Sequence, residues 1–124
     1  MNFRHATLEE LPAVMNVLDG ADLAVSAETV RRRIRGGTVL VAVTDAKTLV
    51  GVLVALPRPK GVHVEAIAVR PGRRGQGIGS GLVAEAADRW GRLTAAFDPS
   101  KRDFYRRTGF EVTPTGERCF GERV

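Results

Sequence analysis

The stretch 62–82 constrains this 124-residue chain more than any other part of its sequence. It begins with a short, valine-rich segment, 62–69, whose composition is typical of a strand that is buried on most of its surface. Pro71 and Gly72 end that strand. From Ile78 onward, apolar residues recur at every fourth position, as they do on one face of a helix. The stretch therefore predicts a strand, a glycine-rich loop and a helix.

The composition of this loop suits an anion. Glycine occupies positions 75, 77, 79 and 81 and alternates with other residues. The first N–H groups of a helix have no partner within it, and the helix dipole makes that end positive. Glycines let those N–H groups approach phosphate oxygens because no Cβ stands in the way. The alternative is a tight turn with close packing of the helix on the strand.

Two well-known nucleotide signatures do not fit the loop. A Walker loop needs Gly-Lys-Ser or Gly-Lys-Thr, and no lysine follows these glycines. The dinucleotide fingerprint G-x-G-x-x-G fails on spacing. Counted from Gly75, its third glycine would fall at Ser80, and counted from Gly77 it would fall at Leu82.

A third pattern fits. The run Arg-Gly-Gln-Gly-Ile-Gly at 74–79 resembles the Arg/Gln-x-x-Gly-x-Gly/Ala loop of the GNAT family, the Gcn5-related N-acetyltransferases. The segments Ala-Val-Arg-Pro at 68–71 and Phe-Tyr-Arg-Arg-Thr-Gly-Phe at 104–110 are also similar to that family. The resemblance is strongest over 62–112. It implies an α/β fold with a central mixed sheet flanked by helices, and direct transfer of an acetyl group from acetyl-CoA to a primary amine in a ternary complex.

The resemblance also implies where acetyl-CoA binds. Backbone N–H groups of 75–80 would hold the pyrophosphate, and the backbone of Ile67 and Val69 would pair with the pantetheine arm as an added strand. An N–H near Ile67 or Ala68 would polarise the thioester carbonyl. No metal is expected. The predicted acetyl-CoA contacts are Ile67, Ala68, Val69, Arg73, Arg74, Gly75, Gln76, Gly77, Ile78, Gly79 and Ser80.

Glu65 is the candidate base. A carboxylate in an otherwise apolar strand is expensive to bury without a partner, and members of the family that this chain resembles often place an acidic residue on this strand. Strand alternation would put His63, Glu65, Ile67 and Val69 on one face, which makes His63 a second titratable candidate. The alternative for Glu65 is a structural ion pair with an arginine.

Tyr105 is the candidate acid, because its place in 104–110 resembles that of the family's thiolate-facing tyrosine. A phenol with a pKa near 10 can donate a proton to a departing thiolate. The alternative is packing beneath the terminal hairpin, a role that we expect Phe104 to fill instead. Asp98 stands where many family members carry an asparagine.

Caps, periodicity and turn residues place the remaining elements. A capping box, Thr7 with Glu10, opens a helix that ends at Gly20. Ser26 caps a second helix, whose arginines we expect to form a solvated face. The sequence also predicts strands at 1–6, 39–43, 49–56 and 93–97, a loop at 57–61, a short helix capped by Ser100, and a terminal hairpin of 110–113 with 117–120.

Composition bounds the other possibilities. We expect one domain over 1–124, and a cytoplasmic location because no apolar signal core or membrane-length run is present. The net charge of +5 would suit nucleic acid, but aromatic residues are only 6 % of the chain. Cys119 excludes an internal disulfide and is expected to be a small residue of the last strand. The acceptor would be a small-molecule or peptide amine, and a homodimer is possible; a non-catalytic CoA-binding module remains the main alternative.

Overall fold

In a computed structural model, the described residues, 1–21 and 23–124, form seven strands and four α-helices. The strands are β1 Asn2–His5, β2 Val39–Val43, β3 Leu49–Arg58, β4 Gly61–Val69, β5 Leu93–Phe97, β6 Glu111–Thr115 and β7 Arg118–Arg123. The helices are α1 Leu11–Gly20, α2 Ala27–Arg35, α3 Ile78–Trp90 and α4 Arg102–Arg107. No helix among these residues is both long and apolar enough to span a membrane.

The strands form one sheet in the order β1-β2-β3-β4-β5-β7-β6. Neighbouring strands are antiparallel except for β4 and β5, which are parallel. Helix α3 connects that pair, as the predicted strand–helix–strand unit requires. The predicted mixed sheet flanked by helices is therefore confirmed.

Each face of the sheet carries its own apolar core. On one face, α3 and the aromatic residues Tyr105 and Phe110 pack on the sheet through side chains such as Val64 and Leu93. On the other face, α1 and α2 pack on it through side chains such as Val41. Cys119 is buried in β7, as predicted. The helices thus lie on both sides of the sheet, and β2 and β3 are covered on both faces.

Some boundaries differ from prediction for local reasons. Strand β3 continues through Pro57 to Arg58. Proline has no backbone N–H, but β2 pairs with β3 only as far as Val54, so Pro57 leaves no hydrogen bond to β2 unmade. Pro114 likewise lies within β6, the edge strand. The helix opened by Thr7 and Glu10 begins with a 3₁₀ turn, Leu8–Glu10, before α1.

The cap predicted at Ser100 is wrong by two residues. The carboxylate of Asp98 accepts a hydrogen bond of 2.9 Å from the Ser100 backbone N–H. It opens a 3₁₀ turn, Pro99–Lys101, that leads into α4. Asp98 therefore has a structural role at the end of β5, and this backbone hydrogen bond lowers the pKa of its carboxyl.

A β-bulge lies in the middle of β4. Val54 of β3 is opposite Ala66, whereas the next residue, Ala55, is opposite Val64. Glu65 is therefore the extra residue of the bulge. Because one residue is added, the side chains that follow it exchange faces: Val64 packs on the α3 side, and Ala66 packs on the side of α1 and α2.

Candidate active site

Strands β4 and β5 diverge at the bulge. They pair only from Val62 with Leu93 to Val64 with Ala95. From Glu65 to Val69, β4 keeps β3 as its neighbour on one side, and no strand among the described residues pairs with its other edge. That edge has free backbone hydrogen-bonding groups, so it can accept an extended ligand as an added strand.

A cavity of about 480 Å³ opens along this edge. Most of its wall consists of residues 67–69 at the end of β4 and residues 73–80 of the glycine loop and the start of α3, without Gln76. All predicted cofactor residues except Gln76 therefore line one cavity. We call it the donor cavity.

The four glycines of the loop divide into two pairs. Gly75 and Gly77 have φ of +79° and +80°, a left-handed conformation that favours glycine, and a Cβ on either would meet no atom within 4 Å. A Cβ on Gly79 would lie 2.9 Å from the Phe104 ring, and one on Gly81 would lie 2.3 Å from the Phe3 ring. The first pair sets the path of the loop beside the cavity, and the second pair lets aromatic rings pack closely against α3.

The donor cavity is cationic. Arg73 and Arg74 line it from the loop, and Lys101 and Arg107 line it from the region of α4. The Arg74 guanidinium also donates to the Val69 carbonyl at 3.2 Å, which ties the loop to the end of β4. Four basic side chains and the N-terminus of α3 around one cavity fit a ligand with several phosphates.

Four lining residues were not predicted. Lys101 and Arg107 belong to a basic group that is visible in the sequence, but only the fold brings them to the loop. Phe104 and Ala21 also line the cavity, and neither carries a sequence signal for a ligand. Ala21 comes from the end of α1, far from the loop in sequence.

The prediction that His63, Glu65, Ile67 and Val69 share one face is wrong. Ile67 and Val69 pack on the α3 side of the sheet and line the donor cavity. His63 and Glu65 lie on the opposite face, where they line a second cavity of about 500 Å³ with Ser26 and Thr29 of the α2 start and Ala24 and Val25 before it. The bulge at Glu65 is the reason, since it changes the alternation by one residue.

The Glu65 carboxylate forms an ion pair with Arg33 of α2. Arg33 Nε donates to Oε1 at 2.7 Å, and an Nη of Arg33 donates to Oε2 at 3.4 Å. The Arg33 side chain is only 13 % exposed and that of Glu65 is 24 % exposed. The sequence led us to expect that the arginines of α2 form a solvated face, and for Arg33 this expectation is wrong. The pair holds the carboxylate in a fixed orientation while part of it still faces the second cavity.

His63 is held from the neighbouring strand. Its Nδ1 lies 2.7 Å from the Thr94 hydroxyl oxygen, directly across the parallel pair. Burial, and then the positive charge of Arg58, lower the pKa of the His63 imidazole, and Glu65 opposes this shift only in part. His63 is therefore neutral at neutral pH and can accept a proton or a hydrogen bond.

Tyr105 is buried in an aromatic cluster. Its ring stacks on Phe97 with centroids 3.9 Å apart and lies edge-on to Phe104 and Phe110. The packing role that we assigned to Phe104 thus belongs to Tyr105, while Phe104 lines the donor cavity. Burial raises the pKa of the Tyr105 phenol to about 12, so it stays protonated through the neutral range.

Comparison with solved structures supports the same architecture. The ribosomal-protein-alanine N-acetyltransferase of Brucella melitensis is 25 % identical, with a TM-score of 0.77 over 100 % of this chain and 99 % of that one. The PaiA N-acetyltransferase of Thermoplasma acidophilum, solved in complex with coenzyme A, is 17 % identical, with a TM-score of 0.81 over 98 % and 97 %. A GNAT family acetyltransferase of Bacillus cereus is 14 % identical, with a TM-score of 0.84 over 99 % and 97 %.

Sequence comparison identifies the family. No curated protein sequence matches this chain. Residues 35–112, well over half of the chain, match the family model described as acetyltransferase (GNAT) domain. That segment contains every residue that lines the donor cavity except Ala21. This chain therefore belongs to the GNAT acetyltransferase family.

Proposed function

We propose that this protein is an acetyl-CoA-dependent N-acetyltransferase that transfers the acetyl group directly to a primary amine in a ternary complex. One observation carries the proposal. Ile67 lines the donor cavity and Glu65, two residues earlier on β4, lines the other cavity; the two side chains lie on opposite faces of the sheet, just past the point where β4 and β5 stop pairing. Two substrates can therefore enter from opposite sides and meet at the bulge, with no covalent enzyme intermediate.

The residues of the donor cavity fit acetyl-CoA, which supplies an acetyl group already activated as a thioester. The backbone of 75–80 would receive the pyrophosphate at the start of α3. Arg73, Arg74, Lys101 and Arg107 would balance the phosphate charges. The free edge of β4 would receive the amide groups of the pantetheine arm, which are spaced to pair with a strand.

The opposite cavity supplies groups for the amine. A primary amine is mostly protonated at neutral pH and must lose a proton before it can attack. The Glu65 carboxylate can attract the ammonium group and remove a proton directly or through water, and Arg33 keeps that carboxylate in place. The neutral imidazole of His63, two residues away, is the second possible proton acceptor.

Tyr105 is the proposed proton donor to the leaving thiolate. Tyr105 is not among the residues that line the donor cavity, but its ring packs against Phe104, which does line it. A phenol with a pKa of about 12 is a weak acid in isolation, but it is fully protonated when the thiolate forms.

The test is acetyl transfer by the purified protein. With acetyl-CoA and a panel of primary amines, we expect release of free thiol together with a mass increase of one acetyl group on an acceptor. At acetyl-CoA concentrations below saturation, Gly77→Glu should reduce both signals at least tenfold, and Gly72→Glu is the matched control. It adds the same charge to the same loop at a glycine that has no positive φ and does not line the donor cavity.

A different result would replace the proposal. If acetyl-CoA raises the melting temperature but no amine yields thiol, the protein is a CoA-binding module without turnover. If oligonucleotides stabilise it and acetyl-CoA does not, it is a basic nucleic-acid-binding protein.

A further inference from the structure

A third cavity adjoins the one that contains Glu65. It also measures about 500 Å³ and shares His63 with its neighbour. It lies over the first residues of β4, β5 and the facing part of β7, on the sheet face that α1 and α2 leave uncovered. The residues around it other than His63 are Arg58, Pro59, Lys60, Arg92, Thr94 and Phe120. We call it the cationic cavity.

The positive charge of the cationic cavity is only partly neutralised within the described chain. Arg92 is paired with Glu122 at 2.6 Å. Arg58 and Lys60 are exposed, and neither forms a salt bridge with any described residue. Arg58 is also close enough to His63 to oppose its protonation. Arg58 and Lys60 therefore place two positive charges without a described ion-pair partner at the cationic cavity, and the adjoining cavity contains the Glu65 carboxylate.

The strand register sets the separation of these charges. Arg58 is opposite Gly61, and Arg92 immediately precedes the residue that pairs with Val62. Glu65 is four residues further along β4 than Gly61. Because Glu65 is the extra residue of the bulge, its position falls between those opposite Ala55 and Val54, which are three and four residues from Arg58 on β3. At about 3.3 Å per residue, Arg58 and Glu65 are about 10–13 Å apart along the sheet. Between them lie His63 and Thr94, which form a polar floor.

We propose that the acceptor is the amino terminus of an extended peptide with an acidic residue at its third or fourth position. This inference rests on the proposed function. An extended peptide advances about 3.3–3.6 Å per residue. With its amine at Glu65, the carboxylate of its third or fourth residue reaches Arg58 and Lys60. A free amino acid is too short to contact both ends, and a polyamine has no anionic group for the cations.

The floor of the cationic cavity also suits a peptide. Phe120 is 37 % exposed, an unusual state for a phenylalanine, and lies opposite Ala96 of β5 in the sheet. It gives an apolar contact to a side chain that flanks the acidic residue. A peptide placed here spans the Glu65 cavity and the cationic cavity without entering the donor cavity.

The experiment compares peptide acceptors that differ at one charge. Matched peptides carry glutamate, glutamine or lysine at the third or fourth position, with the same amino terminus. We expect kcat/KM to be at least tenfold higher for glutamate than for glutamine, mostly through KM, and lowest for lysine. This preference should weaken as salt increases.

Arg58→Ala combined with Lys60→Ala should remove the preference, so that the glutamate and glutamine peptides give the same kcat/KM. Arg35→Ala combined with Arg106→Ala is the matched control. It removes the same charge from exposed positions that line none of these cavities, and it should keep the preference. Equal use of the three peptides, or a preference that survives in Arg58→Ala/Lys60→Ala, would overturn the proposal.

Binding measurements separate this inference from the proposed function. Titration of the labelled glutamate peptide into the CoA-bound protein should give at least tenfold tighter binding than the glutamine peptide. Preferential binding without turnover would retain the peptide site and reject the enzyme. Turnover of a small amine without any peptide binding would support the proposed enzyme and reject the peptide site. A dimer that dissociates in Arg58→Ala/Lys60→Ala would show that a second copy covers this surface, and would also overturn the peptide site.

Discussion

The donor cavity and the Glu65 cavity lie on opposite faces of the same strand, and they are built in different ways. The donor cavity takes most of its wall from one stretch, 67–80, and much of what it offers a ligand is backbone. The Glu65 cavity is made of side chains from β4 and from the segment that leads into α2, which are distant in sequence. The donor cavity is therefore formed mostly by one continuous stretch of chain, whereas the Glu65 cavity forms only when α2 packs on the sheet.

The difference has a chemical reason. Phosphates are the same in every molecule of acetyl-CoA, so a fixed backbone conformation around Gly75 and Gly77 can serve them. Amines differ in length and charge, so their recognition depends on side chains such as Glu65 and Arg58, which can change without altering the loop. Five substitutions test this separation, beginning with the largest expected effect.

The first substitution changes only the Glu65 cavity, where the amine would bind. Glu65→Gln keeps the shape and lets an amide oxygen still accept from Arg33, but removes the charge. We expect turnover to fall about 10²–10⁴-fold, the usual contribution of a general base, with acetyl-CoA affinity unchanged. Steady-state kinetics and calorimetric binding measure the two quantities. A variant that keeps its rate and loses melting temperature would show that Glu65 only pairs with Arg33.

The second substitution removes only the hydroxyl of Tyr105. Tyr105→Phe keeps the ring that stacks on Phe97, so stability should hardly change. We expect turnover to fall about 10²-fold with unchanged acetyl-CoA affinity, because the proton is needed only as the thiolate leaves. The loss should shrink with a donor whose leaving thiol is more acidic. Turnover at the wild-type rate, with chemistry limiting, would reduce Tyr105 to a packing residue.

The third substitution changes only the donor cavity. Gly77→Glu places a negative charge beside the phosphate positions and puts a non-glycine residue at φ +80°. Acetyl-CoA affinity should fall at least tenfold, which is about 1.4 kcal/mol. Gly77→Asn, which tolerates this φ and adds no charge, should retain most of the affinity. Unchanged binding in a folded Gly77→Glu protein would remove the phosphate role of the loop.

The fourth separates the two pairs of glycines. Gly81→Ala would place a Cβ 2.3 Å from the Phe3 ring, and such overpacking costs about 1–3 kcal/mol against a helix-propensity gain of about 1 kcal/mol. We expect a net loss of about 1 kcal/mol in the free energy of unfolding, measured by denaturant titration. Gly20→Ala, at a helical glycine with no atom within 4 Å, is the control and should not destabilise.

The smallest effect concerns His63. Arg58→Ala removes the second-largest cause of its lowered pKa, so the pKa should rise but stay below its ordinary value, because burial remains. Just below the ordinary pKa of histidine, the unfolded chain binds more protons than the folded chain. The free energy of unfolding of the wild-type protein therefore falls as pH decreases through that range. Nuclear magnetic resonance of the imidazole measures the pKa, with His63→Gln assigning the signal. An unchanged pKa would place Arg58 too far from His63 to act on it.

Sequence reasoning succeeded where structure is local. The strand, loop and helix of 62–90 follow from composition, glycine spacing and period, and the cavity along 67–80 follows from these elements. It anticipated that Glu65 could pair with an arginine but failed at the face on which Glu65 lies, because a bulge leaves no sign in a strand of alternating small and large residues. It failed at Arg33 as well, since four arginines in five positions look alike until α2 packs on the sheet.

The sequence by itself determined the order of the elements, the glycine loop and the positive charge of Arg73 and Arg74 within it, because these depend on residues close together in the chain. The tertiary structure alone decided which face each residue of β4 presents, which of Phe104 and Tyr105 lines the cavity, and which arginine holds Glu65. Those outcomes depend on strand register and helix packing. A shift of one residue in register moves a side chain to the other face at little local cost, so only the packed core selects among them.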